Sequence, residues 1–275
     1  MSLSDAVQFG TKYANKRDVL FVLEDVAGFT HSDVLLKGES EFPQALFNEY
    51  EGKIKRLYEG EPLQYVLGKW DFCGINFKTD KRALIPRPET ELLAEMVINH
   101  AKNRERLNIL DVCTGSGCIG LSIAKLTGFK HNLVLADISE EALSLAKQNH
   151  KALGSPQNVG FLLSDYLVGV SGMFDIIVSN PPYIKTSELE TLPKNVRNYE
   201  PKLALDGGAG GLKAYKKLIP QCFEKLRCGG EIFLEIGPPE AAYIMEETGF
   251  TSIEIHNDYA GHKRLLRGRK KCLTN

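Results

Sequence analysis

The residues best suited to chemistry are Asn180-Pro181-Pro182-Tyr183, which follow directly on the apolar run Phe174–Ser179. Such a run reads as a buried strand, and open α/β sheets bind ligands at the carboxyl ends of their strands. Two consecutive prolines fix φ and remove two backbone donors. The carbonyls there become acceptors with no competing N–H, and the Asn180 side-chain oxygen adds another. This set of acceptors fits an NH2 group on an sp2 carbon, a poor nucleophile because its lone pair is delocalised. Asn180 Oδ1 and the Pro181 carbonyl would hold its hydrogens and draw the nitrogen towards sp3 geometry. The lone pair would then point at an electrophilic carbon. Orientation and charge stabilisation would carry most of the catalysis. No strong general base is required, since the nitrogen becomes acidic only as the new bond forms. Pro182 stiffens the segment, and Tyr183 would stack on the planar group.

A second constellation is Asp111-Val112-Cys113-Thr114-Gly115-Ser116-Gly117-Cys118-Ile119-Gly120. Gly115, Gly117 and Gly120 satisfy G-x-G-x-x-G between an apolar run and a helical stretch. Glycines allow a tight turn and close approach of the backbone to a ligand. Asp137 ends the next apolar run and could accept from both hydroxyls of a ribose. The geometry serves NAD and S-adenosylmethionine alike, because both carry an adenosine. Asp111, just before the turn, would oppose a pyrophosphate but suit a cationic ligand, which favours S-adenosylmethionine. Asp165, after Val159–Leu163, could accept from an adenine amine, and Tyr166 could cover the ring.

The elements that must position these residues follow from periodicity. Residues 1 to about 62 predict short helices, with Val19, Leu20, Val22, Leu23 and Val26 as one apolar stripe. Ala45, Leu46, Tyr50, Ile54, Leu57 and Tyr58 form another. Residues 64–79 predict a hairpin or extended linker around Cys73-Gly74. Pro86 and Pro88 suit an extended approach to a helix beginning near Pro88. From Leu107 onward strands alternate with helices. Strands are expected at Leu107–Val112, Leu133–Ala136, Val159–Leu163, Phe174–Ser179 and Glu231–Ile236, with helices between them, one of them capped by Ser139. Ser252–His256 and Arg264–Arg267 would form an antiparallel pair at the sheet edge. The expected fold is therefore α/β, a mostly parallel sheet with helices on both faces.

Composition sets the outer bounds. The 275 residues carry 34 Lys and Arg against 35 Asp and Glu, a net charge of -1, so a globally basic nucleic-acid binder is not indicated. The first eighty residues are mildly acidic. The basic stretch Lys263–Lys271 reads as a solvated end after the last strand. No apolar run approaches a membrane span. The start lacks the pattern of a secretory or transit segment, so a cytoplasmic protein is expected. The cysteines Cys73, Cys113, Cys118, Cys222, Cys228 and Cys272 form no CxxC pair and read as free thiols. The histidines lack metal-ligand spacing, so no metal is expected.

These motifs together resemble the class I S-adenosylmethionine-dependent methyltransferases, and more closely the peptide chain release factor glutamine N5-methyltransferases. The resemblance covers nearly the whole chain. It rests on Glu61–Gly68, Leu84–Glu91, the glycine turn, Ser164-Asp165-Tyr166, Val178–Ile184, Tyr199-Glu200-Pro201 through Leu205–Gly208, and Leu234–Gly237. It implies a Rossmann-like seven-stranded sheet in residues 83–275, a helical substrate-recognition domain in 1–63 and a β-hairpin linker in 64–82. It implies transfer of a methyl group from S-adenosyl-L-methionine, leaving S-adenosyl-L-homocysteine, to the glutamine amide of the Gly-Gly-Gln loop of class 1 release factors. Cys113, Thr114, Gly115, Ser116, Gly117, Asp137, Asp165, Tyr166 and Asn180 would line the cofactor site, and Asn180, Pro181, Pro182 and Tyr183 would hold the substrate. A monomer with no nucleic-acid target and no membrane association is the matching expectation. Two positions depart from the pattern: Gly210 stands where an acidic residue is frequent, and Tyr166 where Trp is common. Arg87 and Glu89 could close over the cofactor or simply be solvated charges at a helix entry. An adenine-N6 DNA or RNA methyltransferase is the alternative, since that amine is also an NH2 on an sp2 carbon. A non-catalytic adenosine-binding protein and a NAD-linked dehydrogenase both leave the Asn-Pro-Pro-Tyr segment unexplained.

Overall fold

A computed structural model describes residues 1–272. The last three residues of the expected 83–275 segment lie outside the described residues. The chain divides into two compact units, Met1–Lys69 with Pro193–Tyr199, and Trp70–Leu192 with Glu200–Asn275.

The first unit is helical: α1 (Leu3–Thr11), α2 (Lys16–Ala27), α3 (His31–Leu36), α4 (Gln44–Tyr58) and α5 (Leu63–Leu67). Ser2 and Asp5 form a reciprocal cap on α1, and Thr30 and Asp33 do the same on α3. Gly28 in the left-handed region closes α2. Val19, Val22, Leu23, Phe42, Tyr50 and Ile54 are buried, so the α2 stripe faces inward as the periodicity requires. Tyr58, at the end of the α4 stripe, is instead exposed. The buried Tyr50 hydroxyl donates to the Ala6 carbonyl at 2.7 Å. Gly10 admits this contact, because a Cβ there would stand 2.2 Å from Tyr50 Oη. Residues 64–67, expected to be extended, are helical. Pro62 starts the turn and Gly68 at φ 73° ends it, and this punctuation outweighs the β propensity of Tyr65 and Val66.

The chain continues through the hairpin β1 (Lys69–Phe72) and β2 (Ile75–Lys78), turning at Cys73 and Gly74, both with positive φ. Then come α6 (Pro88–Ala101), β3 (Asn108–Val112), α7 (Cys118–Leu126), β4 (Asn132–Asp137), α8 (Glu140–Ala152), β5 (Val159–Leu163) and β6 (Phe174–Ser179). A 3-10 turn (Thr186–Thr191) and the short helices α9 (Lys194–Tyr199) and α10 (Lys202–Leu205) precede α11 (Lys213–Lys225), β7 (Leu226–Glu235), α12 (Ala241–Thr248), β8 (Phe250–Asn257) and β9 (Lys263–Lys270).

The seven strands of the main sheet run β5-β4-β3-β6-β7-β9-β8. The first five are parallel, and β9 is antiparallel to both neighbours. Successive strand residues serve opposite faces. Ile109, Ile176 and Phe233 join the cluster with α6 and α7, while Leu110, Ile177 and Ile232 join the cluster with α11 and α12. Both faces are covered, so the strands read as continuous apolar runs. The order reverses between β3 and β6, the switch point where such sheets bind ligands.

Two expectations change here. The basic stretch Lys263–Lys271 is not a solvated end, because residues 263–270 are strand β9, inserted between β7 and β8. Cys228 and Cys272 are not free thiols but a disulfide with Cα atoms 4.9 Å apart. The antiparallel register that sets Glu231 opposite Arg269 carries the two cysteines to facing positions just beyond it. Cys73, Cys113, Cys118 and Cys222 are free.

Candidate active site

A cavity of about 320 Å³ opens at the carboxyl ends of β3, β4, β5 and β6. The glycine turn after β3 forms one wall. Cys113, Gly115 and Gly117 all have positive φ, so the chain doubles back within a few residues. Three hydrogen bonds fix it: Thr114 N–H to the Ala136 carbonyl (3.1 Å), Gly117 N–H to the Thr114 carbonyl (2.9 Å), and Gly115 N–H to Asp137 Oδ2 (2.8 Å). Asn149 of α8 braces the turn from behind, donating to the Ser116 carbonyl at 2.9 Å while accepting from Lys78 N–H at 2.7 Å.

Cys113, Thr114, Gly115 and Ser116 all line the cavity. Gly117 does not. A Cβ there would meet Leu121, Ala146 and Leu135 side chains within 3.3 Å, so this glycine serves helix packing behind the wall. Asp111 is also behind it. Its carboxylate is fully buried, with Oδ2 accepting from Thr114 Oγ1 (2.5 Å) and Gly120 N–H (2.9 Å). Oδ1 is buried without a hydrogen-bond partner, and burial pushes the carboxyl up to about 7. Asp111 thus holds the turn together from inside rather than facing a ligand, because the next residues curl over it. Burial pushes the Cys118 thiol up to about 12 and the Cys113 thiol higher still, so neither is a thiolate nucleophile.

Asp137, Asp165 and Tyr166 line the same cavity. Asp137 Oδ1 also accepts from Ser139 N–H at 2.9 Å, so two backbone donors aim the carboxylate. Burial raises its pKa despite them, and further donors at the site would offset that cost. Tyr166 has φ 54°, and Ser164 Oγ holds this strained corner by donating towards the Tyr166 and Val168 carbonyls. The cavity thus offers a carboxylate for vicinal hydroxyls, a ring beside it and the apolar side chains of Leu84, Ile85 and Ile138, a set that fits an adenosine.

Asn180 and Pro182 complete the wall at the end of β6, whereas Pro181 and Tyr183 stand outside it. Pro181 is buried. The Tyr183 ring lies under the Arg264 guanidinium at 5.7 Å, and its hydroxyl donates to Glu235 Oε1 at 3.0 Å. Burial above all, then the charge of Glu235, pushes this phenol well up, so it stays a donor. The segment is covered by the glycine-rich loop after α10. Gly207 N–H donates to the Ile184 carbonyl at 2.8 Å, and Thr186 N–H to the Gly208 carbonyl at 3.0 Å. A Cβ at Gly207 would lie 2.6 Å from Tyr183 Cα.

Other contributors lie within the quoted motifs, but only Arg87 and Glu89 among them have a candidate role from the sequence. Arg87 lines the cavity and pairs with buried Glu200 at 2.5 Å, whose other oxygen accepts Ile85 N–H at 3.1 Å. Glu89 is exposed and outside the wall. Thr90 and Glu235 are both buried, and Thr90 lines the cavity beside Asn180 whereas Glu235 does not. The signal for Glu235 was a carboxylate closing an otherwise apolar strand; Glu200 stands in the Tyr199-Glu200-Pro201 motif, which does not by itself disclose its partners. Among the described residues no His, Cys, Asp and Glu cluster could hold a metal ion, and no helix is long and apolar enough to cross a membrane.

Comparison with known proteins yields consistent matches. Residues 88–198 match the family described as Methyltransferase small domain, and residues 11–68 the PrmC N-terminal domain. The release factor glutamine methyltransferase of Thermodesulfovibrio yellowstonii is 41% identical over 219 residues, 78% of each chain. That of Clostridium botulinum is 37% identical over 261 residues, covering 93% of this chain and 88% of its own. Among solved structures, the 16S rRNA N2 G1207 methyltransferase of T. thermophilus, in complex with AdoMet and guanosine, superposes with a TM-score of 0.54 at 18% identity. That match covers 74% of this chain and 50% of the other and speaks to the fold alone.

Proposed function

We propose, for a chain that belongs to the release factor glutamine methyltransferase family, that it methylates the side-chain amide nitrogen of a glutamine in a class 1 peptide chain release factor. S-adenosyl-L-methionine, when bound, supplies an electrophilic methyl carbon on a sulfonium and leaves as S-adenosyl-L-homocysteine. The glycine turn and Asp137 hold its ribose end, and Tyr166 and Asp165 border its base. Asn180 Oδ1 and the Pro181 carbonyl accept the two amide hydrogens of the glutamine, which aims the nitrogen lone pair across the cavity. Tyr183 borders the substrate side of the segment. Positioning and preorganised acceptors do the work, and the amide proton leaves to water once the new N–C bond has formed.

The single observation that carries this reading is that Asn180 and the glycine turn line one cavity, at the switch point of the sheet. The Gly-Gly-Gln loop is the target and the helical residues 1–63 recognise the factor. The enzyme acts as a cytoplasmic monomer without a nucleic-acid target. The test incubates the protein and S-adenosylmethionine carrying a labelled methyl with a release factor, with the same factor whose Gly-Gly-Gln glutamine is alanine, and with unmethylated duplex DNA. Label on the intact factor alone is expected, and label on DNA alone overturns the reading in favour of an adenine-N6 enzyme. Asn180→Ala is expected to abolish transfer while S-adenosylmethionine still binds by calorimetry. Unchanged turnover would remove Asn180 from its role.

A further inference from the structure

Asn180 can serve as an acceptor only if its amide is turned the right way, and that turn is decided behind it. Asn180 Nδ2 donates to Thr90 Oγ1 at 3.1 Å. Thr90 Oγ1 donates in turn to Glu235 Oε2 at 2.6 Å. The other oxygen of Glu235 accepts from the Tyr183 hydroxyl at 3.0 Å. A hydroxyl has one proton, and an ionised carboxylate only accepts. The Thr90 proton is therefore committed to Glu235, and Thr90 can only accept from Asn180. The amide must then present its NH2 to Thr90 and hold its oxygen on the opposite side. Glu235 is 1% exposed and Thr90, which lines the cavity, only 3% exposed, so the Thr90–Glu235 bond is shielded from solvent. Burial raises the Glu235 carboxyl above its usual range, opposed by the two hydroxyl donors and the nearby Arg264 charge, and the geometry has Glu235 accepting from both hydroxyls. Both ends of the Asn-Pro-Pro-Tyr segment are tied to one carboxylate: Asn180 through Thr90, Tyr183 directly.

We propose that Thr90 and Glu235 are positioning residues of the methyl transfer, which lock the Asn180 amide with Oδ1 as the acceptor and hold Tyr183 in register without touching the substrate nitrogen. The assignment rests on the reading of Asn180 as the acceptor for a glutamine amide. It separates from simple packing because it depends on the direction of a hydrogen bond rather than on volume. Valine has the shape of threonine and no hydroxyl; serine keeps the hydroxyl and loses the methyl.

The experiment measures kcat on a release factor, the dissociation constant for S-adenosylmethionine by calorimetry, and thermal melting, for wild type, Thr90→Val, Thr90→Ser and Glu235→Gln. Thr90→Val is expected to lower kcat about 100-fold, the usual effect of a misdirected group at a reacting centre, with cofactor affinity within about threefold of wild type. Thr90→Ser should restore kcat to within about fivefold, because the relay needs only the hydroxyl. Glu235→Gln should lose turnover as Thr90→Val does, since a carboxamide turned to donate reverses the relay. Wild-type turnover in Thr90→Val overturns the proposal. So does a loss that serine fails to rescue and that tracks cofactor affinity and melting temperature. Failure of the functional reading looks different: a wild-type protein that binds S-adenosylmethionine yet labels no release factor glutamine defeats that reading and this assignment together.

Discussion

Two carboxylates flank the glycine turn, and their surroundings give them different work. Asp111 is sealed behind the turn, and burial raises it from 3.8 to about 7. The folded chain therefore keeps a proton that the unfolded chain releases between about pH 4 and 7. A group that binds its proton more tightly when folded stabilises least where it is ionised, so its contribution falls as pH rises through this window and is flat above it. Asp111→Asn keeps an oxygen for Thr114 and Gly120 but has no proton to lose. Its melting temperature is expected to decline less between pH 4 and 7 than that of wild type, and parallel profiles would place the titration elsewhere. Asp137 instead borders the cavity, with two backbone N–H groups aiming it. Asp137→Ala is expected to weaken S-adenosylmethionine by about 1–3 kcal/mol, the cost of leaving donors unpaired. An unchanged dissociation constant would mean the ribose lies elsewhere. Asp137, Asp165 and Asn180 were legible in the sequence because each stands within two residues of the end of an apolar run. Which side of the turn Asp111 faces was not, since that depends on the positive φ of Cys113 and the curl of the residues that follow.

The elements that carry these residues were legible to nearly the same degree. Val159–Leu163, Phe174–Ser179 and Ala241–Thr248 stand where periodicity puts them, and Ser139 caps α8 by accepting Ala142 N–H at 3.1 Å. Legibility fails where a segment is short or its partner is distant. Leu63–Leu67 is a single helical turn set by its flanking Pro and Gly. Glu200 owes its role to Arg87 and Ile85, far away in sequence. The glycine-rich loop lies between these cases, visible as a motif but explicable only in space. Gly207 lets the loop lie against the backbone of Tyr183, and a Cβ there meets Tyr183 Cα and C at 2.6 and 2.7 Å. Neither atom is the end of a flexible side chain, so the Asn-Pro-Pro-Tyr segment itself must shift. Gly207→Ala is therefore expected to lower kcat by about tenfold or more through displacement of Asn180 and Tyr183. The dissociation constant for S-adenosylmethionine should move far less, because the glycine turn after β3 is untouched. Equal losses in both would mean that the loop supports the whole cavity rather than its acceptor end.

At the scale of the whole molecule the deciding quantity is how charge is distributed. The net charge is -1, and the densest run of basic residues is strand β9. There several of the basic side chains are engaged by neighbouring residues. Arg267 pairs with Glu231 at 2.8 Å, Arg264 with Asp258 at 3.4 Å, and Arg269 Nε and Lys270 Nζ donate to the Gly229 and Leu226 carbonyls. Guanidinium groups engaged in this way are poor neutralisers of phosphate, so the stretch that most resembled a nucleic-acid tail is structural. A protein making 6–10 phosphate contacts loses roughly 10³–10⁵ in affinity between 50 and 200 mM salt. For methylation of a release factor, kcat/KM is expected to fall less than about tenfold over that range, with excess duplex DNA neither labelled nor inhibitory. A fall near a thousandfold, with DNA competing, would mean that phosphate neutralisation drives recognition, and the same acceptors at Asn180 would then be holding an adenine amine rather than a glutamine amide.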